Sequence, residues 1–396
     1  MGDLTILCLA SYFKGQRFMQ QARARGAKVY LLTIEKLLGH AWPREALADV
    51  FAQSNEATLA DTIRTVSYLA RDRRFDRVVP MDDFDVETAA ALREHLRLPG
   101  MGDTTARFFR DKLAMRVRAK EAGISVPDFT GVFHHDDVRA FTARTPAPWM
   151  NKPRSQAGAT GITKVTSDEQ LWRLIEAQGD LQSFHLLEEY LPGDVYHVDS
   201  ITAGGEVVFS AAHRCGTPPF DVAHGGGIFT SVALERGTED ERALTALNLR
   251  TLKAFGLEQG AAHVEFIKGR KDGRFYMLEA GARVGGAHIA ELVEASTGLN
   301  PWSEWANVEI DGEAYRPGPA RREYGGLVIT LARQERPDLS AYTDPEIVYR
   351  APEASHAGLV VRSPDAARAA RLVAEYTDRF KADFMTSLPA ASAPGH

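Results

Sequence analysis

Residues Ala261–Gly286 read AAHVEFIKGRKDGRFYMLEAGARVGG. Alternating side chains over Ala261–Ile267 and Arg274–Glu279, separated by Lys271-Asp-Gly273, predict the two strands of a hairpin. A three-residue loop ending in Gly273 sets Glu265 directly opposite Glu279. A two-residue Asp272-Gly273 turn would instead shift the register by one and send the two carboxylates to opposite faces. The three-residue form is the expectation. Like charges paired across a sheet destabilise it. A hard cation between them removes that cost, and an oxygen-ligand site of this kind suits Mg²⁺ working with phosphates.

The chain around the hairpin has 396 residues, enough for two or three domains with ample cores. Its 47 basic and 53 acidic residues leave a net charge of −6, which argues against a nucleic-acid partner. Cys8 and Cys215 are too few for a disulfide framework and wrongly spaced for a zinc site, as fits a reducing cytosol. MGDLTILCLASYF reads as a first buried strand and not as a signal peptide. No run approaches the roughly 18 apolar residues that span a bilayer. A soluble, cytoplasmic protein without a membrane partner is expected.

The first hundred residues alternate strand and helix signals. Strands are predicted at Leu4–Ala10, Lys28–Thr33 and Arg77–Pro80, and helices at Gln16–Arg25, Asn55–Ala70 and Asp85–Leu96. This rhythm implies a doubly wound parallel sheet. Ligands in such sheets sit beyond the strand C-termini, which singles out the loops Ser11–Gly15 and Met81–Asp85. Among the acids there, Asp85 is read as a helix cap. Leu98-Pro-Gly-Met-Gly102 punctuates the unit, and one helix is expected from Thr104 to Ala122, with Asp111-Lys112 near its middle.

Strands at Trp149–Pro153 and Thr163–Val165 and a helix at Ser167–Gln178 outline a small lid. Strands dominate from His185–Tyr190 onward, through Tyr196–Thr202, Glu206–His213 and the hairpin. Tyr324–Leu331, Gly358–Arg362 and a helix at Pro364–Phe380 are expected to complete the core sheet and to favour a homodimer. The division is therefore 1–102 for the first α/β domain, 103–184 for a linker helix and lid, and 185–386 for a core of mixed and antiparallel strands. Residues 387–396, small and Pro-rich, read as a frayed tail.

Three further stretches carry chemistry. In Lys152-Pro-Arg-Ser-Gln-Ala-Gly-Ala-Thr-Gly161 a strand-end lysine precedes a small-residue loop. Gly158 and Gly161 there admit close backbone approach, and exposed N–H groups can cradle phosphate oxygens. In Leu186-Leu-Glu-Glu-Tyr-Leu-Pro-Gly193 an acidic pair ends a strand. It is either a solvated turn or a place where main-chain groups near Glu189 and Leu191 meet a flat base edge. Asp111-Lys112, alone, would be a solvated helix face.

Taken in order, Lys112, Lys152 with its loop, Glu188–Leu191, Glu265 and Glu279 resemble the ATP-grasp superfamily, closest to its biotin-carboxylase-like and amino-acid-ligase branches. The resemblance covers roughly residues 1–300. It implies a cleft between two α+β subdomains that binds ATP and Mg²⁺, with Mn²⁺ as a substitute. It implies that Lys112 and Lys152 contact phosphates, that the Ser155–Gly161 loop closes over them, and that Glu188, Glu189 and Leu191 meet adenine. Glu265 and Glu279 would hold the metal, and Arg283 would steady the transferred group. Two positions depart from the family pattern. Gly281 stands where an asparagine ligand is usual, and Val195 where an acid is usual, leaving Asp194, His197 or Asp199 for the ribose.

The leading expectation is an ADP-forming carboxylate–amine ligase acting through an acyl phosphate. Its partners would be a small carboxylate and an amine. Arg214, His224, Gly286 and His288 are pocket candidates, weighed against ordinary surface or structural roles. A biotin-carboxylase-like carboxylation and a non-catalytic nucleotide-binding module are the alternatives. Loss of the asparagine favours the last, and retention of both lysines, both glutamates and Arg283 opposes it.

Overall fold

Strand β1 (Thr5–Ala10) is apolar almost throughout and buried on both sides, as a central parallel strand must be. It pairs in parallel with β2 (Lys28–Ile34) and β4 (Arg77–Pro80), and β2 pairs with β3 (Asp49–Gln53), giving the order β3-β2-β1-β4. This computed structural model describes residues 4–218, 220, 222 and 225–386. The expected frayed tail at 387–396 and the candidate His224 lie outside the described residues. Helix α1 (Gln16–Ala24) covers one face of the sheet, while α2 (Leu59–Leu69) and α3 (Val86–Leu96) cover the other. The doubly wound expectation holds. Strand β3 was not anticipated, because its half-exposed DVFAQ lacks an apolar run. Helix α2 starts later than Asn55 because Thr58 and Asp61 form a capping box.

The single helix expected over Thr104–Ala122 is two, α4 (Asp103–Arg107) and α5 (Lys112–Glu121). The Asp111 carboxylate accepts from the N–H groups of Leu113 (2.9 Å) and Ala114 (3.3 Å) and starts the second helix. Lys112 therefore begins a helix instead of lying within one.

The segment expected to be a lid holds a four-stranded sheet of order β5-β8-β6-β7, made of β5 (Phe129–Gly131), β6 (Trp149–Pro153), β7 (Thr163–Val165) and β8 (His185–Glu189). Helices α6 (His135–Arg144) and α7 (Asp168–Gln178) pack on it around Phe141, Trp149 and Leu187. Strand β8 was expected with the strands that follow it, yet it pairs with β5 and β6.

The large sheet is antiparallel, with order β13-β12-β9-β10-β11-β14-β16-β15. Its strands are β9 (Gly193–Ala203), β10 (Glu206–Cys215), β11 (Ile228–Ala233), β12 (Gly260–Gly269), β13 (Phe275–Gly281), β14 (Tyr324–Leu331), β15 (Ile347–Arg350) and β16 (His356–Ser363). Helices α8 (Glu239–Phe255), α9 (Ile289–Thr297), α10 (Pro301–Asp311) and α11 (Ala366–Asp383) flank it. The C-terminal strands thus complete this sheet, as expected. The first domain docks on it through α1 against α10, where Phe18 meets Trp305 edge-on at 5.6 Å and Gln21 bonds Asn307 at 2.9 Å.

The hairpin of β12 and β13 reaches the expected pairing by an unexpected route. Gly269 N donates to Arg274 O (2.9 Å), so the loop holds four residues, Arg270–Gly273, and near the turn Phe266 faces Met277. That register alone would misalign the two glutamates. Leu278 is an extra residue in β13, a bulge that restores Glu265 opposite Glu279.

Candidate active site

Antiparallel partners share a sheet face. Glu279 pairs with Glu265, Glu265 with His197, and His197 with His213, while Asp199 pairs with His263. All six side chains therefore belong to one face. Glu265 and Glu279 are each about a third exposed (31 % and 33 %), so the paired carboxylates open to solvent while their neighbours are buried. His263 Nε2 lies 3.5 Å from Glu265 Oε1, and its Nδ1 lies 2.9 Å from Asp199 Oδ1. Burial opposes the charge on His263, but the Asp199 carboxylate outweighs it and lifts its pKa to about 9. Burial likewise acts to raise the Glu265 pKa, and the bond and charge of His263 hold it below its usual value.

Lys112 reaches this face from another element, and Lys152 lies near enough to Lys112 to feel its charge. Lys112, at the first turn of α5, reaches Glu279 Oε1 (2.8 Å) and the carbonyl of Gln156 (2.5 Å). Lys152, at the end of β6, pairs with Glu188 Oε1, whose other oxygen accepts from Arg116 Nε at 2.7 Å. Arg116 and Glu188 are wholly buried, and Arg116 lies one turn after Lys112 on the same helix face. Desolvation pushes the Lys152 pKa down, with Arg116 and Lys112 adding to it against Glu188. Burial acts to raise the Glu188 pKa, but Arg116 and Lys152 hold it below the usual range.

The 155–161 loop joins the same assembly. Lys112 N donates to Arg154 O (2.8 Å), Arg110 Nη2 donates to Ser155 O (2.6 Å), and the Arg154 guanidinium grips the Asp111 carboxylate. Gly158, Ala159 and Gly161 all have positive φ (62°, 59° and 71°), and an added Cβ at Gly158 would meet nothing.

Arg283 follows β13 and points at the first domain. Its Nε lies 2.5 Å from Asp83 Oδ2, in the loop after β4. Burial opposes its charge, but Asp83 and Asp82 push its pKa further up. This contact explains Gly281. A Cβ there would stand 3.1 Å from Asp83 Oδ1 and 3.3 Å from Arg283 Cγ, so the first domain's carboxylate fills the space an asparagine side chain would need. Asp85, read as a helix cap, is instead the acceptor of Ser11 N (3.1 Å) and Ser11 Oγ (2.5 Å), which ties the two strand-end loops together.

The remaining candidates fare differently from one another. Arg214 and Asp194 lie on the opposite face of the large sheet, beside Tyr196, and pair with each other at 3.0 Å. Neither can share a pocket with Glu265. His197 is on the correct face but 1 % exposed, with Nδ1 on Asp199 (2.7 Å) and Nε2 on Ser231 (2.8 Å), so it has no nitrogen left for a ribose. Glu188, expected at adenine largely through its backbone, has its carboxylate held between Arg116 and Lys152. Glu189 N bonds Asp128 O (2.8 Å), and Leu191 packs against the cluster of Val195, Cys215 and Ile267. His288 precedes α9 in a left-handed conformation (φ 62°) and meets Glu353 at 3.1 Å, while an added Cβ at the nearby Gly286 would touch nothing. Arg116, His263 and the Asp83–Arg283 pair were missed. Only Arg116 carried a local signal, its one-turn spacing from Lys112.

No family model matches the chain. The solved L-amino acid ligase from Bacillus licheniformis superposes with a TM-score of 0.77 over 98 % of this chain and 99 % of that one, at 17 % identity. The chain has the ATP-grasp fold. The biotin carboxylase domain of Hydrogenobacter thermophilus 2-oxoglutarate carboxylase, solved with Mg-ADP and bicarbonate, gives 0.73 over 96 % of this chain and 90 % of that one, at 16 % identity. By sequence, the L-arginine-specific L-amino acid ligase of Bacillus subtilis is 25 % identical over 242 residues, 60 % of this chain and 58 % of that protein. D-alanine–D-alanine ligase of Haemophilus influenzae is 31 % identical over 113 residues, 27 % of this chain and 38 % of that protein. The chain thus spans less than two thirds of these curated relatives. Among the described residues, no helix is long and apolar enough to cross a membrane.

Proposed function

We propose that the chain is an ATP-dependent, ADP-forming ligase that joins a small carboxylate to an amine, amino acids being the substrate class. The observation that carries this reading is the half-buried Glu265–Glu279 pair with Lys112 bridging Glu279 to the Gln156 carbonyl of the loop. The likeness to amino-acid ligases in both sequence and fold supports it.

Glu265 and Glu279 would hold Mg²⁺, or Mn²⁺ in its place, and the ion would supply positive charge to the phosphate oxygens. Two facing carboxylates in an open cleft fit a hard cation. Lys112 then exchanges Glu279 for a phosphate oxygen, and Lys152 takes another. The substrate carboxylate attacks the γ-phosphorus, the bond to ADP breaks, and an acyl phosphate results. An amine adds to the acyl carbon, phosphate leaves, and the amine's proton leaves with solvent or phosphate. The Ser155–Gly161 loop keeps water from the acyl phosphate. Arg283, with the charge Asp83 maintains on it, steadies the departing group.

In the resting protein every one of these cations faces an acid: Lys112 faces Glu279, Lys152 faces Glu188, and Arg283 faces Asp83. Nucleotide binding therefore exchanges one set of ion pairs for another and leaves no charge bare. The test is phosphate and ADP release across pairs of amino acids. Release that needs both an acid and an amine upholds the reading. The likeness to the biotin carboxylase domain favours carboxylation as a second reading, and release that requires bicarbonate and no amine would establish it.

A further inference from the structure

Behind the half-buried glutamates, the same sheet face holds a cluster that the ligase reading does not use. His197 and Asp199 lie on β9, and His213 lies opposite His197 on β10. One donor atom from each falls within 4.8 Å of the others, and all three residues are buried. His213 has no exposure at all, and neither ring nitrogen meets full hydrogen-bond geometry among the described residues, although the Ala211 backbone lies near the ring. A buried imidazole without a well-formed hydrogen bond is costly, so it calls for a partner.

The neighbouring atoms indicate what that partner is. Asp199 Oδ2 lies 2.7 Å from His197 Nδ1 and 3.8 Å from His213 Nδ1. Donors around a tetrahedral ion with bonds of ~2.0–2.1 Å stand about 3.3 Å apart, so the Asp199 oxygen is within about 0.6 Å of that spacing from each ring nitrogen. The two rings lie 4.9 Å apart and 13° from parallel, so one of them must turn about its Cβ–Cγ bond for both nitrogens to point at one ion. Two of the three ligands have their outer atoms held: His197 Nε2 meets Ser231 Oγ at 2.8 Å, and Asp199 Oδ1 meets His263 Nδ1 at 2.9 Å. Outer partners of this kind fix ring orientation and ligand charge in metal sites. Two imidazoles and one carboxylate form a borderline N₂O donor set that suits Zn²⁺ and its neighbours, whereas Mg²⁺ prefers oxygen.

We propose that His197, Asp199 and His213 form a second metal site, for a divalent transition ion of the Zn²⁺ class, separate from the Glu265–Glu279 pair. Water completes the coordination. The ion clamps β9 to β10 and, through Asp199 and His263, steadies the strand that carries Glu265.

Cobalt(II) is the probe, because four-coordinate Co²⁺ absorbs strongly in the visible. The full-length protein is stripped with chelator and titrated with Co²⁺ in excess Mg²⁺, without nucleotide. One equivalent giving a four-coordinate spectrum is expected in the wild type and in Glu279→Gln, and its loss is expected in His213→Gln. Zn²⁺ should raise the melting temperature of the first two proteins and not of the third. X-ray absorption on the wild type, which needs no variant to fold, should show two imidazoles on the ion. No stoichiometric Co²⁺ in the wild type would overturn the proposal. So would loss of the ion in Glu279→Gln with retention in His213→Gln. These readouts do not depend on ligase activity, so failure here and failure of the ligase reading are distinguishable.

Discussion

Asp83→Asn tests whether the first domain takes part in the chemistry or only supports it. The substitution keeps the shape and removes the charge that faces Arg283 at 2.5 Å. Side-chain exposures of 18 % and 9 % make the pair mostly buried. Removing one partner of a fully buried ion pair costs about 3–5 kcal/mol, because the remaining charge is left uncompensated. Asp82 and Glu279 still act on Arg283, so a loss of about 2–3 kcal/mol is expected here. Expressed wholly as misplacement of the guanidinium, that corresponds to a drop of roughly 30- to 150-fold in kcat. KM for ATP should stay within about twofold, since Lys112 and Lys152 sit on other elements. Phosphate release at saturating substrates and thermal melting of the free protein measure the two effects. The sign with pH is also set. Burial acts to raise the Asp83 pKa, but Arg283 holds it below its usual value. Its contribution is therefore present above the unfolded pKa of roughly 4 and lost as pH falls through the folded value. The difference between variant and wild type should shrink in acid. A variant with wild-type melting and wild-type kcat at neutral pH would refute the reasoning.

Glu279→Gln should abolish ADP formation and weaken Mn²⁺ binding as read by its magnetic resonance, while the melting temperature stays close to wild type. Unchanged turnover would remove Glu279 from the metal site. Gly281→Asn, the residue usual in the family, should lower kcat here, because its Cβ comes 3.1 Å from Asp83 Oδ1 and must displace it. Its effect should not add to that of Asp83→Asn, and additive losses would separate the two residues. Asp85 is pushed up to about 7 by burial and by Asp82. Its proton stays on in the folded state while the unfolded chain ionises, so wild-type stability should fall by up to roughly 4 kcal/mol between pH 4 and 7. Asp85→Asn should flatten that slope, and an unchanged slope in denaturant titrations would assign it elsewhere.

The order of elements was legible because it rests on local pattern. Alternating side chains marked β12 and β13, apolar runs marked β1 and β2, and glycine or capping residues marked most helix ends. The order of the two lysines, the acidic strand end and the two glutamates also lay in the sequence, and it pointed to the ATP-grasp fold that the superpositions bear out. The pairing of Glu265 with Glu279 was anticipated from a loop length that proved wrong. A four-residue loop and the bulge at Leu278 gave the same register, because the buried face of the sheet constrains pairing more strongly than the turn does. Sequence could not say that β8 pairs with β5 and β6, that Arg214 and Asp194 face away from the site, or that His197 is sealed beneath it. These depend on which strands lie side by side and which sheet face meets the cleft. Nor could it say why Gly281 is glycine. That answer lies 198 positions earlier in the chain, in the Asp83 carboxylate that fills the space beside it. Alternation and capping act between residues a few positions apart, so the sequence by itself determined the elements and their order. Ion pairs and shared sheet faces act between residues distant in the chain, so only the tertiary structure decided which charges meet.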